Sequence, residues 1–202
     1  MIRSSGGCTC LNEIRNGLPR TKFCFMPCSA QRAMMEEERN IERVRENEKL
    51  KSIIRHIKKV EDNCNALAQQ LMEKRNEDTF ARQLIQRGRL HDASKFDEFE
   101  FNHLNDQTSQ SLFQEALTTH HSKNSHHPEF WSGGIHEMTR LDIAEMVCDC
   151  LARSQEFGTD IRHWFFVEAP EKYKYDKTSA VWHHIDIFLF LLLTPPFKKP
   201  TI

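Results

Sequence analysis

The spacing of apolar residues after position 49 is the feature that most limits how this chain can fold. They follow one face of a helix, at positions 50, 53, 54, 57, 60, 64, 67 and 71. The 202 residues include only seven glycines and seven prolines, which is few for the many tight turns of a β-rich protein. We therefore predict an all-α fold, a helical bundle that begins with a long charged helix.

The order of segments predicts one domain with an extension at each end. Residues 1–33 form a disordered or targeting leader, and 34–49 form a charged helical extension. Acids and bases alternate along that extension, which favours a solvated helix with ion pairs one turn apart. The domain itself covers 50–170, and a C-terminal loop and helix, 171–202, packs on it. The helix at 34–60 could also join two copies into a homo-oligomer.

Breakers and caps set the predicted helix bounds inside the domain. Thr139 is a suitable N-cap and Gly158 a suitable stop. Gly88 weakens an earlier helix, whose inward face includes Leu90. The segment 120–134 contains Asn, Pro and Gly, so we expect a loop or a broken helix there. The expected helices are Asp78–Lys95, 97–117, Thr139–Phe157 and Ser179–Thr194.

Cysteine use and charge indicate the compartment and exclude some partners. The chain has seven cysteines, an odd number, and lacks a hydrophobic signal segment, so we expect reduced thiols in an intracellular, cytoplasmic protein. The acid-poor leader also allows a mitochondrial transit peptide. No apolar run is long enough for a membrane span, so we expect no membrane partner. A net charge of −1 gives no strong nucleic-acid signal.

Four cysteines lie near the start of the chain and leave two interpretations open. Cys8, Cys10, Cys24 and Cys28 could hold a zinc ion, although their spacing is not that of a usual zinc finger. The alternative is a flexible tail with free thiols.

Histidines and acids concentrate in a pattern that predicts a metal site. Two antiparallel helices could bring His56 opposite His91, which Asp92 follows directly. Glu145 and Asp149 share one helix face among apolar neighbours, where carboxylates need a partner or a metal. Mixed nitrogen and oxygen ligands suit one or two divalent ions, of Mn, Fe, Zn, Co, Ni or Mg. Four further histidines fall close together, at His120, His121, His126 and His127.

The ordered motifs resemble the HD superfamily of metal-dependent phosphohydrolases. They are His91-Asp92-Ala-Ser-Lys-Phe, then a run from His120 to Trp131, then Glu145-Met-Val-Cys-Asp149. Over roughly 50–168 they look like an uncharacterised HD-like family known mostly from bacteria and phages. The His pairs are also similar to HD-GYP phosphodiesterases, but this chain lacks the Gly-Tyr-Pro element.

The resemblance implies an all-α fold and a set of metal ligands. The implied core ligands are His56, His91, Asp92 and Asp149, and Asp92 can bridge two metals. His120 or His121, with His126 and His127, would complete a second metal site or bind the phosphate.

The function that follows is hydrolysis of a nucleotide or other small phosphate ester through a metal-activated water. The predicted catalytic residues are Glu145, which would orient that water or a ligand histidine, and Lys95, which would hold the phosphate. We place Lys95 on the same helix face as the His-Asp pair. The alternative interpretations are that Glu145 is a solvent-side carboxylate and that Lys95 is a surface lysine without a role in catalysis.

Other residues and other functions stay open at this point. Lys123 and Arg140 are weaker phosphate candidates, and Phe130 and Trp131 either wall the pocket or pack in the core. The rival functions are an HD-like di-iron oxygenase and a non-catalytic, metal-stabilised helical module that binds a partner.

Overall fold

The computed structural model describes residues 28–104 and 109–194, with side chains from residue 32 onward. Most of these residues are helical. Within those ranges there is no strand, so the prediction of an all-α fold is confirmed. The predicted leader falls mainly on residues outside the described ones. The proposed zinc site at Cys8, Cys10, Cys24 and Cys28 lies outside the described side chains.

The longest helix, α1, runs Cys28–Arg75, so the predicted long N-terminal helix is present. The chain divides into two units, Met1–Leu50 and Lys51–Ile202. In the first unit, Arg39 pairs with Glu36 at 2.6 Å and Arg45 with Glu42 at 3.8 Å. All four of these side chains are exposed, as expected for a solvated charged helix.

In the second unit, α1 buries most of the predicted apolar stripe, with Val60, Cys64, Leu67 and Leu71 in the core. Ile54, which we predicted on that stripe, is instead 52% exposed. Its side chain lies next to the buried face, because the stripe is narrower than the sequence pattern suggested.

The second helix, α2, runs Asp78–Leu90 and ends earlier than predicted. Asp92 has a left-handed backbone, with φ of 53°, which breaks the helix before a short 3-10 turn at Ala93–Phe96. Lys95 therefore lies in that turn rather than on a helix with His91 and Asp92. Leu90, which we predicted to face inward, is 72% exposed because it lies at the helix end.

Two helices replace the single segment predicted at 97–117. They are α3, Glu98–His103, and α4, Gln110–Lys123. The prediction of a loop at 120–134 is wrong at its start, because α4 continues through His120 to Lys123. The side-chain amide of Asn124 donates to the His120 carbonyl at 2.7 Å and satisfies the end of the helix. Short 3-10 turns at Pro128–Phe130 and Gly134–Glu137 follow.

The central helix of the second unit is α5, Arg140–Phe157. Thr139 and Asp142 form a reciprocal capping box, and Gly158 ends the helix with φ of 67°, as the sequence predicts. The remaining helices are α6, Ile161–His163, α7, Ala169–Tyr173, and α8, Ala180–Leu193, with a π-helical turn at Trp164–Glu168.

The main core forms where α5 packs against α2 and α8. Its largest fully buried side chains include Leu67, Leu84, Ile143, Phe165 and Phe188. One face of α5 completes this core while Asp149 on the same helix points to a polar site. None of the described helices is both long and apolar enough to cross a membrane.

Candidate metal centre

Eight side chains predicted as metal ligands converge in the second unit. The parts of the fold that supply them are α1, the turn after α2, α4 with the loop that follows it, and α5. Their nitrogen and oxygen atoms form overlapping groups whose members lie within 4.8 Å of one another. The eight residues are His56, His91, Asp92, His120, His121, His126, His127 and Asp149.

A first group of ligand atoms surrounds Asp149. Its Oδ1 lies 3.0 Å from His56 Nε2 and 3.8 Å from His91 Nε2. His91 Nε2 also lies 3.3 Å from Asp92 Oδ2, and His126 Nε2 lies 3.9 Å from Asp149 Oδ2. These atoms form a compact set of nitrogen and oxygen donors on the buried side of the site.

A second group surrounds the other oxygen of Asp92. Its Oδ1 lies 3.3 Å from His120 Nε2 and 3.4 Å from His126 Nε2. His127 Nε2 lies 3.0 Å from His120 Nε2. His121 and His127 also form a more exposed group with Glu129. Asp92 therefore offers one oxygen to each of the two groups, so its carboxylate could bridge two metal ions.

Carboxylates lie against the outer nitrogen of four of these imidazoles. Glu156 Oε1 is 3.0 Å from His56 Nδ1, and Glu100 Oε2 is 3.0 Å from His120 Nδ1. Glu145 Oε1 serves two rings, since it lies 3.0 Å from His91 Nδ1 and 3.4 Å from His126 Nδ1. A carboxylate that accepts a hydrogen bond from Nδ1–H leaves Nε2 as the ligand atom and fixes the ring orientation.

Sequence reasoning missed Glu100 and Glu156. Glu100 lies in an acidic run that looks like a surface segment, yet its side chain is fully buried. Glu156 follows Asp149 by two helical turns, which places it on the same face of α5. That spacing was the one signal in the sequence that could have found it.

Several buried atoms at the centre have no hydrogen-bond partner. They are His56 Nε2, His91 Nε2, His126 Nε2, Asp92 Oδ1 and Asp149 Oδ1. Where Nδ1–H donates to an outer carboxylate and the ring is neutral, as a metal-binding imidazole is, the Nε2 lone pair faces carboxylate oxygens. Such an arrangement of buried acceptors is costly unless a cation lies between them. The donor set therefore fits a metal ion, and these clusters could hold one.

Burial and neighbouring charge together set the protonation states of the chain without metal. Burial lowers the pKa of His126 to about 3, and it lowers that of His127 to about 3 as well. Burial acts against protonation of His91 too, but the charge of Asp92 and the carboxylates of Glu145 and Asp149 together outweigh it and raise the pKa of His91 to about 10. Burial also acts to raise the pKa of Asp149, but the neighbouring imidazoles of His56, His91 and His126 together hold that pKa below the usual range.

A cavity of about 240 Å³ opens beside the ligands. Lys95 and Arg153 both line it, so two cations face the same space as Asp92 and Asp149. Lys95 Nζ lies 2.5 Å from Asp92 Oδ2, although the lysine is not on the helix where we expected it. Arg153, one turn after Asp149 on α5, was not predicted; its spacing on that face could have revealed it.

Glu145, which we predicted as a catalytic residue, does not line the cavity. It is 2% exposed, so the interpretation as a solvent-side carboxylate is wrong. Arg87 donates to its Oε2 at 2.6 Å and also to Asp142 Oδ1 at 2.7 Å. Through Oε1 it contacts two histidines, which makes it a positioning residue for the ligands.

The weaker candidates for a phosphate contact or a pocket wall do not line the cavity. Arg140 pairs with Glu77 and stacks on the Phe80 ring at 4.2 Å, so its guanidinium is already bound away from the cavity. Lys123 Nζ pairs with Asp97 at 2.6 Å and with Glu100 Oε1, on the carboxylate behind His120, at 3.0 Å. Trp131 packs against the main core rather than lining the cavity.

Comparison with known proteins gives one match. A family model described as a family of unknown function (DUF5662) matches residues 45–186, a range that includes every residue of the metal centre. No curated protein and no solved structure matches the chain.

Proposed function

The chain belongs to this family of unknown function, and from its own site we propose that it is an HD-type, metal-dependent phosphohydrolase that acts on a small phosphate ester, such as a nucleotide. One observation carries the proposal. Asp92 stands between two groups of histidine and carboxylate donors, beside a cavity that also contains Lys95 and Arg153. Paired cation sites next to fixed positive side chains suit a phosphoryl group.

We propose two ions, one for each group of donors around Asp92. Histidine nitrogen and carboxylate oxygen without thiolate suit Mn, Fe, Co, Ni or Zn better than Mg. His56, His91 and Asp149 would hold the first ion, and His120 with His127 the second, since these sets lie on opposite oxygens of Asp92. When bound, such ions supply Lewis-acid activation of water and neutralise phosphoryl charge.

The residues of the chain would orient the substrate. Lys95 Nζ balances the charge of Asp92 in the chain alone. When a divalent cation takes over that role, Nζ can donate to a phosphoryl oxygen beside it. Arg153 is 47% exposed in its side chain and pairs with Glu156 at 3.3 Å, so the carboxylate that orients His56 also holds a second cation at the cavity. The two cations favour an anionic ligand.

The first experiment measures bound metal in the full chain by elemental analysis after reconstitution. We expect about two equivalents in the wild type and none in His91→Ala with Asp92→Ala. His183→Ala is the matched control, because His183 is an exposed histidine on α8 outside the site. A wild-type chain that binds no metal would overturn the proposal.

The second experiment screens phosphatase activity on nucleotides and small phosphate esters with added Mn, Co, Ni or Mg. We expect activity that needs metal and that Asp149→Ala abolishes, because Asp149 is central to the first group. Metal-loaded protein that hydrolyses none of these esters would favour a metal-stabilised binding module instead. Oxygen consumption by an iron-loaded chain would favour a di-iron oxygenase.

A further inference from the structure

Some of the side chains that line the cavity beside the candidate metal centre have no part in the proposed chemistry. Four apolar side chains border it, from Ile53 on α1, Leu104 after α3, and Phe113 and Leu117 on α4. In the part of the chain that the structure describes, none of the four belongs to the main core formed around α5. Their apolar surface therefore borders the cavity without contributing to that core.

The positions of these residues show where the apolar lining lies relative to the ligands. On α4, Phe113, Leu117 and His121 follow one another at intervals of one turn, so they lie along one face of the helix. On α1, Ile53 lies one turn before His56. The rise of a helix places Phe113 about 10 Å from His120 along the axis of α4. The apolar lining thus extends away from the metal ligands by about the length of a phosphate and one ring.

The cavity therefore has a charged, polar side and an apolar side. Its ligand side has carboxylates, imidazoles, Lys95 and Arg153, whereas the other described lining residues are Ser52 and the four apolar ones. Apolar surface in a cavity favours an apolar ligand group, because water beside it is released on binding. A polyhydroxylated sugar would instead lose hydrogen bonds to water and find few partners along this lining.

We propose that the substrate is a phosphate ester whose organic part is apolar and about the size of one aromatic ring, held against Phe113, Leu117 and Ile53. This inference rests on the proposed function and narrows it, because it names the group attached to the phosphate. Phe113 is then a specificity-determining residue, which contacts the organic part by ring packing.

The test is binding of two phosphonates, which cannot be hydrolysed, to the Mn-loaded full chain by calorimetry. The probes are 2-phenylethylphosphonate and 2-hydroxyethylphosphonate, which share the anionic group. We expect the phenyl compound to bind tighter by about tenfold or more, the effect of burying one ring. Phe113→Ala should remove most of that preference, because it weakens binding of the phenyl compound more than binding of the hydroxyethyl compound.

Leu112→Ala is the matched control, since Leu112 is the neighbour of Phe113 on α4 but does not line the cavity. If Phe113→Ala loses its metal or its helical circular dichroism, Leu117→Ala takes its place. Equal affinity of the wild type for both phosphonates would overturn the inference, and so would an unchanged preference in a folded Phe113→Ala or Leu117→Ala chain.

A hydrolysis assay distinguishes failure of this inference from failure of the proposed function. The substrates are 2-phenylethyl phosphate and 2-hydroxyethyl phosphate, both esters of primary alcohols. We expect a higher kcat/KM for the phenyl ester, by about tenfold. Equal turnover of both esters would overturn the inference and keep the function. Preferential phosphonate binding with no hydrolysis of any ester would overturn the function and keep the ligand class.

Discussion

At the scale of single residues, the outer carboxylates hold the histidines of the candidate metal centre in place. Glu145 contacts the Nδ1 atoms of both His91 and His126 through one oxygen, and Arg87 binds its other oxygen. Arg87 also reaches Asp142, so one guanidinium balances two buried acids. A buried carboxylate in such a network is held in one orientation, and it transmits that orientation to two ligand rings.

We therefore predict that Glu145→Gln weakens metal binding by about 10- to 100-fold while the helical content stays unchanged. An amide can donate to Nδ1 or accept from it, so the substitution removes the charge that fixes Nε2 as the ligand atom. Chelator competition measures the affinity, and Glu171→Gln, an exposed acid on α7, is the control. Wild-type affinity in Glu145→Gln would show that the ligand rings are held in another way.

A second prediction at this scale concerns His120. Glu100 and Asp92 contact its two ring nitrogens, and it belongs to the second group of donors but not to the first. We expect His120→Ala to lower the metal content from about two equivalents to about one, because His56, His91 and Asp149 remain in place. Elemental analysis checks this. Retention of two equivalents would contradict the assignment of His120 to a separate ion.

At the scale of helices, Gly88 sets how closely α2 approaches α1. A Cβ at position 88 would lie 2.7 Å from the Cβ of Cys64, which is closer than side chains pack. In the sequence Gly88 counts as a weakness of the helix. The structure shows the opposite contribution, because the missing side chain lets two helices pack at a buried contact.

We predict that Gly88→Ala destabilises the fold by about 1–3 kcal/mol, despite the gain of about 1 kcal/mol in helix propensity. The atom that a new Cβ would overlap is the Cβ of Cys64, which is bonded to the backbone and cannot move aside as the end of a long side chain could. Urea unfolding gives the free energy, and Gln86→Ala, at an exposed position of α2, serves as the control. A Gly88→Ala chain as stable as the wild type would mean that α1 and α2 can shift apart without cost.

At the scale of the whole molecule, the candidate metal centre connects distant parts of the chain. His56 contacts Asp149 and Glu156 across α1 and α5, and Asp92 and His120 join the turn after α2 to α4. Most of the candidate ligands are buried and they come from separate elements, so a cation could bind them only when these elements are assembled. Metal binding is then coupled to folding.

We predict that metal raises the thermal stability of the full chain. At a free metal concentration 100 times the Kd, linkage gives about 2.7 kcal/mol of added stability. Thermal unfolding with and without Mn measures the change in Tm, and EDTA should reverse it. The Asp92→Ala chain should show no such shift; an equal shift in that variant would place the stabilising ion at another site.

Other statements about the whole molecule stay predictions. They are a homo-oligomer through the helix at 34–60, an intracellular location with a mitochondrial alternative, and the resemblance to the HD superfamily. Each depends on partners, compartments or relatives rather than on contacts within the described chain.

The sequence by itself determined the all-α class and picked out the eight histidine and aspartate side chains that converge, because helical periodicity and side-chain chemistry are local properties. It also located the N-cap at Thr139, whose contacts stay within one turn. Only the tertiary structure decided that α2 ends before His91 and that Glu100 and Glu156 lie behind the ligand histidines. His56 and Glu156 are 100 residues apart, and what brings such residues together is the packing of whole helices, which no local pattern specifies.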